Sequence, residues 1–413
     1  MLNRSLFNMR IILVLLIVIT NIFLSLFQLK IVNGYISFYD FEGQWKLAAY
    51  ALQGVDPYPL IGVNQALIDS IGSIPKGWGT SPWGLLLGNF FYPGFLSVEK
   101  AKTFFICINL FLICITALCA LKKFKKKSNR FGFYSFLCVL FSFWPIYSMT
   151  QGNAGGSICY LLFLSFLFYD TKPYLAGVLH GLSMIKPQVA LIVCVAFLFM
   201  KQYRIVVTTF SLVILSLLLV SGIVNNSPFS LINEFVNAGI GNHQNYSGIF
   251  TLLFLEKPFL ALLFSMIFGI ISIGGLSQIF PISLYKQFSL LPASCVATFW
   301  CYSFYNELSI LLLSLIIGIF LILHAKHLFY SIVSFIGAMF VSIGSFILIY
   351  FPSLYFYLLN KLSFTILQSD SYWINQWIAR TIFETGIIIL MFLFLLLLRF
   401  GISKNAGNIT IAN

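Results

Sequence analysis

The stretch YLAGVLHGLSMIKPQVALIVCVAFLFM (174–200) decides how this chain is folded. Its 27 residues are nearly all apolar, with Lys186-Pro187 in the middle, Lys172 before it, and Lys201 and Arg204 after it. A helix crosses a hydrocarbon core of about 30 Å with about 20 residues, so two full crossings need about 40. A single crossing would send every later basic loop to the far side of a membrane, against the tendency of Lys and Arg to collect on the cytoplasmic side. Two half-length helices meeting at Lys186-Pro187 satisfy both limits. Proline interrupts the helical ladder, and non-helical backbone is tolerated at depth where it lines a polar cavity.

The rest of the chain puts that hairpin in a membrane. Of 413 residues, 60% are hydrophobic and 8% charged, with mean hydropathy +0.97; soluble domains carry about 25% charged residues. Apolar runs recur at 10–29, 103–121, 131–149, 153–169, 174–200, 205–224, 258–280, 288–304, 308–323, 328–351 and 381–398. They are apolar on every side, which suits helices and excludes the alternating pattern of a β-barrel. The fold class is therefore all-α: a polytopic integral membrane protein with about 10–12 transmembrane helices. A shorter run, 82–97, is broken by Pro93-Gly94 and belongs in or near the interface. The first run has no small-residue cleavage site after it and is expected to be a retained helix. The eight cysteines lie in or beside apolar runs without metal-ligand spacing and are expected to be packing residues. The net charge of +13 needs no nucleic acid, because basic residues at cytoplasmic helix ends account for it.

KKFKKK (122–127) with Arg130 is the densest basic cluster and should be cytoplasmic. With the hairpin in place, 15 of the 24 Lys/Arg fall inside, eight outside, and Lys186 is buried. Of 11 carboxylates only Asp170 then falls inside, which assigns any acidic chemistry to the outer face. Residues 1–413 read as one membrane domain: a first helix (1–34), an outer loop with interfacial helices (35–100), a helical core (101–351), and an outer loop with the last helix (352–413).

Ionisable and hydrogen-bonding groups at membrane depth are functional candidates. Asp40 and Glu42 open the segment YDFEGQWKLAAYALQGVDPY (39–58), in which Trp45, Ala48, Ala49 and Leu52 recur at helical spacing. Asp40 suits either a helix N-cap or a catalytic carboxylate. Glu42 has no assigned role. Asp56, before Pro57, carries a turn signature. Lys186, in the middle of the apolar hairpin, must be neutral, paired with an internal carboxylate, or facing a polar ligand such as a phosphate. TQGN (150–153) and GNHQNYSG (241–248) offer Gln151, Asn153, His243, Asn245 and Tyr246 as contacts for sugar hydroxyls, and Glu307 in FYNEL is a possible second acid. No metal, cofactor or nucleotide motif is present in the sequence.

Together these stretches resemble the GT-C-type membrane glycosyltransferases, specifically the polyprenol-phosphate-mannose-dependent α-mannosyltransferases. The resemblance runs from about residue 35 to 320. It rests on FYDFEGQWKLAAYALQGVDPY, SPWGLLLGNFFYP, QGN, LAGVLHGLSMIKPQVAL, NHQNYSGIFTLL and CYSFYNELSILLL in that order. In the last of these, the family's Pro and His are absent and Glu307 stands near its acidic position.

The resemblance implies a hexose donor, mannose first, carried on a polyprenyl phosphate. It also implies a lipid- or glycan-linked acceptor, an inverting displacement and a general base at Asp40. Lys186 would offset the leaving phosphate, with no metal required. The Ile/Phe/Lys/Asn-rich composition points to an AT-rich bacterial genome, and with the charge distribution above the expectation is a multi-pass protein of the bacterial cytoplasmic membrane with its site outside. The alternatives are a transporter or flippase of lipid-linked sugars, which should show a second broken helix, and a polysaccharide polymerase or ligase, which should carry a large late outer loop.

Overall fold

The computed structural model describes residues 4–31, 39–58, 65–73, 80–126, 128–241, 257–279, 311–324, 328–339 and 342–343. The runs expected at 288–304 and 381–398 and the loop 352–380 lie outside these residues. Every regular element among the described residues is helical. In chain order they are α1 (Arg4–Ile31), α2 (Tyr39–Leu52), α3 (Gln65–Ile71), α4 (Gly84–Leu87) with a 3-10 turn at Gly88–Phe90, and α5 (Val98–Lys125). Next come α6 (Asn129–Leu140), α7 (Phe143–Thr150), α8 (Gly155–Phe168), α9 (Pro173–Ser183), α10 (Pro187–Phe199) and α11 (Tyr203–Val224). The last are α12 (Pro228–Gly241), α13 (Pro258–Ile279), α14 (Leu311–His324) and α15 (Leu328–Met339).

Among the described residues, Asn8–Lys30, Val98–Lys125, Asn129–Thr150 and Tyr203–Val224 are long and apolar enough to cross a membrane. The protein is thus an all-helical, multi-pass membrane protein. Its centre is α8, where nearly every side chain from Gly155 to Leu167 is buried. A helix apolar and covered all round belongs inside a bundle.

The hairpin read from the sequence is present. Pro173 and Pro187 each sit in the first turn of their helix, where the missing N–H costs nothing. The chain breaks between the two helices at Met184–Lys186. At the start of α9, Arg204 of α11 lies 6.0 Å from the Tyr174 ring, and Gly177 lets the Ile205 carbonyl and the Thr208 side chain approach closely. At the other end of α11, Asn226 reaches Asp56 in the loop after α2. Residues 173–177 and 203–208 therefore share one end of the bundle, and α10 has returned to the end from which α9 set out. Lys123, in the basic cluster of α5, pairs with Asp170 just before α9 at 2.9 Å, so this is the basic end.

The run 131–149 departs from a single continuous helix. It is α6 and α7 with a break at Phe141–Ser142. Pro145 has no N–H to donate to the Phe141 carbonyl four residues earlier. That carbonyl accepts instead from Ser25 Oγ of α1 at 2.7 Å. Ser25 belongs to a buried polar stripe on α1: Asn21 Nδ2 donates to Ser342 Oγ at 3.0 Å, and Gln28 Nε2 to Thr150 Oγ1 at 2.8 Å. The first span is therefore a packed member of the bundle as well as an apolar helix.

Helix α2 is also more deeply covered than a helix lying on the membrane surface. Phe41, Leu47 and Tyr50 are fully buried, because Leu85 of α4, Val220 and Val224 of α11, and Leu231 of α12 close over its Leu47 side.

Replacing Ser25 with Ala leaves the Phe141 carbonyl without its donor in a buried, apolar setting. Side-chain hydrogen bonds between membrane helices contribute about 0.6–1.7 kcal/mol. Ser25→Ala is expected to lower stability by about that amount, read as an earlier transition in thermal unfolding of the purified protein, while Ser25→Thr retains it.

Candidate functional site

The site is organised by the turn that joins α7 to α8. Helix α7 ends at Thr150, and Gly152 adopts φ +71, a left-handed conformation that glycine reaches without steric cost. Gly152 N–H donates to the Met149 carbonyl at 2.9 Å and Asn153 N–H to the Ser148 carbonyl at 3.0 Å. This pair of bonds is a Schellman closure, and it explains why glycine stands between Gln151 and Asn153.

The first N–H groups of α8 emerge from this turn without partners inside the helix. Each finds one outside it. Ala154 N–H donates to the Tyr92 hydroxyl at 2.7 Å, Gly155 N–H to Asn153 Oδ1 at 2.9 Å, and Gly156 N–H to Ser148 Oγ at 3.0 Å. Ser148 Oγ in turn donates to the Asn153 carbonyl at 3.0 Å. The Asn153 amide is thereby oriented, and its Nδ2 donates to Asp40 Oδ2 at 2.8 Å. Asp40, in the first turn of α2, is thus held beyond the N-terminal end of α8, where the helix dipole favours negative charge.

Tyr92 was not singled out by the sequence. It lies in the apolar stretch NFFYP (89–93), buried to 3% exposure. Its ring stacks on Phe105 at 5.6 Å and meets Phe41 at 5.4 Å. Burial and the nearby Asp40 charge push its phenol well above the usual tyrosine range, so it remains protonated. The signal that could have found it is general: a buried Tyr needs a partner for its hydroxyl, and a Tyr beside Pro in a non-helical stretch is free to supply one to another loop.

The other carboxylates near the start of the chain are engaged differently. Glu42 forms an ion pair with Lys102 of α5 at 2.9 Å, which Glu99 shares at 3.1 Å. Asp56 makes its expected turn, accepting from Tyr58 N–H at 3.1 Å, but it also accepts from Asn226 Nδ2 at 2.6 Å. Glu234 of α12 faces Asp56, and Ser230 Oγ donates to Glu234 Oε1 at 3.2 Å. Burial and the Asp56 charge push the Glu234 carboxyl up from its usual value, and burial with both carboxylates does the same for the Tyr58 phenol. Asp56 is therefore a clasp between the α2 loop and α12 as well as a turn residue.

Lys186 stands immediately before α10, half-buried, at the tip of the hairpin. Two carbonyls of the turn leading to it are held from the segment after α3. Trp83 Nε1 donates to the Met184 carbonyl at 2.7 Å, and Ser81 Oγ to the Ile185 carbonyl at 3.3 Å.

Of the residues expected at the site, Asp40 and Asn153 are in direct contact, Gln151 adjoins them at the end of α7, and Lys186 is at the hairpin tip. His243, Asn245, Tyr246 and Glu307 lie outside the described residues. Among the described residues no group of three His, Cys, Asp or Glu side chains converges in the manner of a metal site, and Asp56 with Glu234 is a pair that can share a proton.

Residues 82–323 match glycosyltransferase family 87. The chain belongs to this family. The matched region begins at Pro82, takes in Trp83, Tyr92, the QGN turn and the hairpin, and starts after Asp40. The comparison with curated proteins and that with solved structures each give no match. The protein is accordingly a membrane glycosyltransferase, which requires a sugar donor and an acceptor at the bilayer.

The Asp56–Glu234 contact makes a pH prediction. A raised carboxyl pKa means that the folded protein holds a proton which the unfolded chain releases, so the contribution is complete below the ordinary Glu range and is lost as pH rises through the raised value. Glu234→Gln keeps the shape without the charge. It is expected to unfold at higher temperature than the wild type near about pH 8 and at the same temperature near about pH 4.

Proposed function

We propose that this family 87 glycosyltransferase moves a hexose, with mannose the first candidate, from a polyprenyl-phosphate donor to an acceptor hydroxyl on a lipid-linked or glycan substrate. The observation that carries the reading is the Asp40 carboxylate held by Asn153 at the N-terminal end of the central helix. It lies at the end of the bundle opposite the basic cluster of α5. With that cluster cytoplasmic, the site faces the extracytoplasmic side, where a donor carried in lipid arrives without a nucleotide. The cytoplasmic membrane of a bacterium fits this arrangement.

The reaction is a single inverting displacement. The acceptor oxygen forms its bond to the anomeric carbon while Asp40 takes the hydroxyl proton, and the bond from that carbon to the phosphate oxygen breaks. The electron pair leaves with polyprenyl phosphate. A phosphate leaving group needs countercharge more than it needs a proton, and Lys186 at the hairpin tip supplies it. Gln151 and the residues of GNHQNYSG supply hydroxyl contacts to the sugars. Asn153 orients the base, since both ends of its amide are already engaged within the protein.

Membership of a transferase family supports this over a carrier of lipid-linked sugars. The test is an assay of the purified full chain in lipid with polyprenyl-phosphate mannose, glucose and arabinose. Transfer from one of them is expected in the wild type. Loss by about 10²–10⁴-fold is expected in Asp40→Asn, the range over which a positioned base acts. Substantial transfer by a folded Asp40→Asn protein removes Asp40 as base, and translocation of lipid without transfer favours the carrier.

A further inference from the structure

A single stretch of chain, Thr80–Leu96, touches the surroundings of both groups assigned to the reaction. At its start, Trp83 and Ser81 hold the carbonyls of Met184 and Ile185, the two residues immediately before Lys186. At its end, the Tyr92 hydroxyl holds the N–H of Ala154, the residue after the Asn153 that bonds Asp40. Between these contacts the backbone is α4 and the 3-10 turn, helical without interruption from Gly84 to Phe90. Short hydrogen-bonded turns of this kind have few soft dihedrals left.

The far end is also fastened to the helix that carries Asp40. Asn89 Oδ1 accepts from Gly94 N–H at 2.8 Å. Gly94 lies so close to α2 that an added Cβ would stand 2.5 Å from the Ala49 nitrogen. Trp45 Nε1 of α2 donates to the Leu96 carbonyl at 3.2 Å. An in-line displacement places the attacking and departing oxygens on opposite sides of one carbon. The separation between base and countercharge is therefore set by the reaction, and an error of about 1 Å can cost about 10²-fold in rate.

We propose that Thr80–Leu96 is a spacer fixing the separation between the Asp40 carboxylate and the Lys186 ammonium, with Tyr92 and Trp83 as the positioning residues at its two ends. The proposal rests on the roles given to Asp40 and Lys186 above. It assigns a division of labour: the Tyr92 end governs the attacking side and the Trp83 end the phosphate side.

The test uses the purified full chain in lipid nanodiscs, the polyprenyl-phosphate hexose that supports transfer, and binding of polyprenyl phosphate itself. Tyr92→Phe retains the ring stack and loses only the hydroxyl. It is expected to lower kcat about tenfold, with donor KM and polyprenyl-phosphate Kd within about twofold of wild type. Trp83→Phe retains an aromatic ring and loses the indole N–H. It is expected to raise donor KM and polyprenyl-phosphate Kd about tenfold, with the smaller effect on kcat.

Wild-type constants in either variant, or the same change in kcat and KM in both, overturn the spacer. The Kd arm needs no sugar, so an unchanged affinity in Trp83→Phe overturns it even where transfer is not followed. Asp40→Asn measured alongside separates the failures. Transfer retained there removes the base, whereas transfer lost there with unaltered Tyr92→Phe kinetics removes the spacer alone.

Discussion

Backbone groups freed at the breaks in this bundle have no water to turn to, and the donors and acceptors that satisfy them arrange the rest of the structure. An unpaired buried amide or carbonyl in an apolar medium costs several kcal/mol, so a helix in lipid can be interrupted only where another part of the chain supplies a partner. Three such places carry the architecture. The carbonyl exposed by Pro145 takes its hydrogen bond from Ser25 of α1. The carbonyls at the end of α9 take theirs from Trp83 and Ser81. The N–H groups at the start of α8 find Tyr92, Asn153 and Ser148.

These repairs tie distant parts of the chain together, and two of the three converge on the candidate site. Satisfying α8 fixes the Asn153 amide, which in turn fixes Asp40. Satisfying α9 fixes the turn from which Lys186 emerges. The same bonds that make a broken helix tolerable in a membrane thus hold the Asp40 carboxylate and the backbone just before Lys186 in place. Preorganisation of this kind is what a transferase needs, since the cost of positioning is met on folding and is absent from the reaction.

The sequence disclosed the parts of this that depend on length, charge and strong breakers. The half-length hairpin followed from 27 apolar residues divided by Lys186-Pro187, and the structure contains it. The QGN turn was visible as a cluster of amides, but its use was not. Asn153 points into the protein toward Asp40, a contact across 113 residues that no local pattern encodes. Pro145 stood in plain view inside the run 131–149, yet its effect depends on a serine in α1. Asn21, Ser25 and Gln28 were lost in a run apolar enough to read as a simple span. Tyr92 and Trp83 drew no notice within the run 82–97, because their polar tips act on loops far away in the chain. Asp56 was half legible: the Asx turn is local, whereas the clasp to Asn226 and Glu234 is not.

The three carboxylates that open the chain also sort themselves by what they touch. Glu42 faces the Lys102 ammonium and is taken up by that ion pair. Asp56 accepts two hydrogen bonds and shares its surroundings with a second carboxyl, an arrangement suited to holding two segments together. Asp40 meets the Asn153 amide, which fixes the direction of its Oδ2. A helix N-terminus adds only partial charge, about half a unit and spread over several N–H groups, three of which are already bonded to uncharged partners. The base assigned to Asp40 therefore occupies the position in this segment where a carboxylate oxygen is fixed in direction by an amide that the central helix itself holds in place.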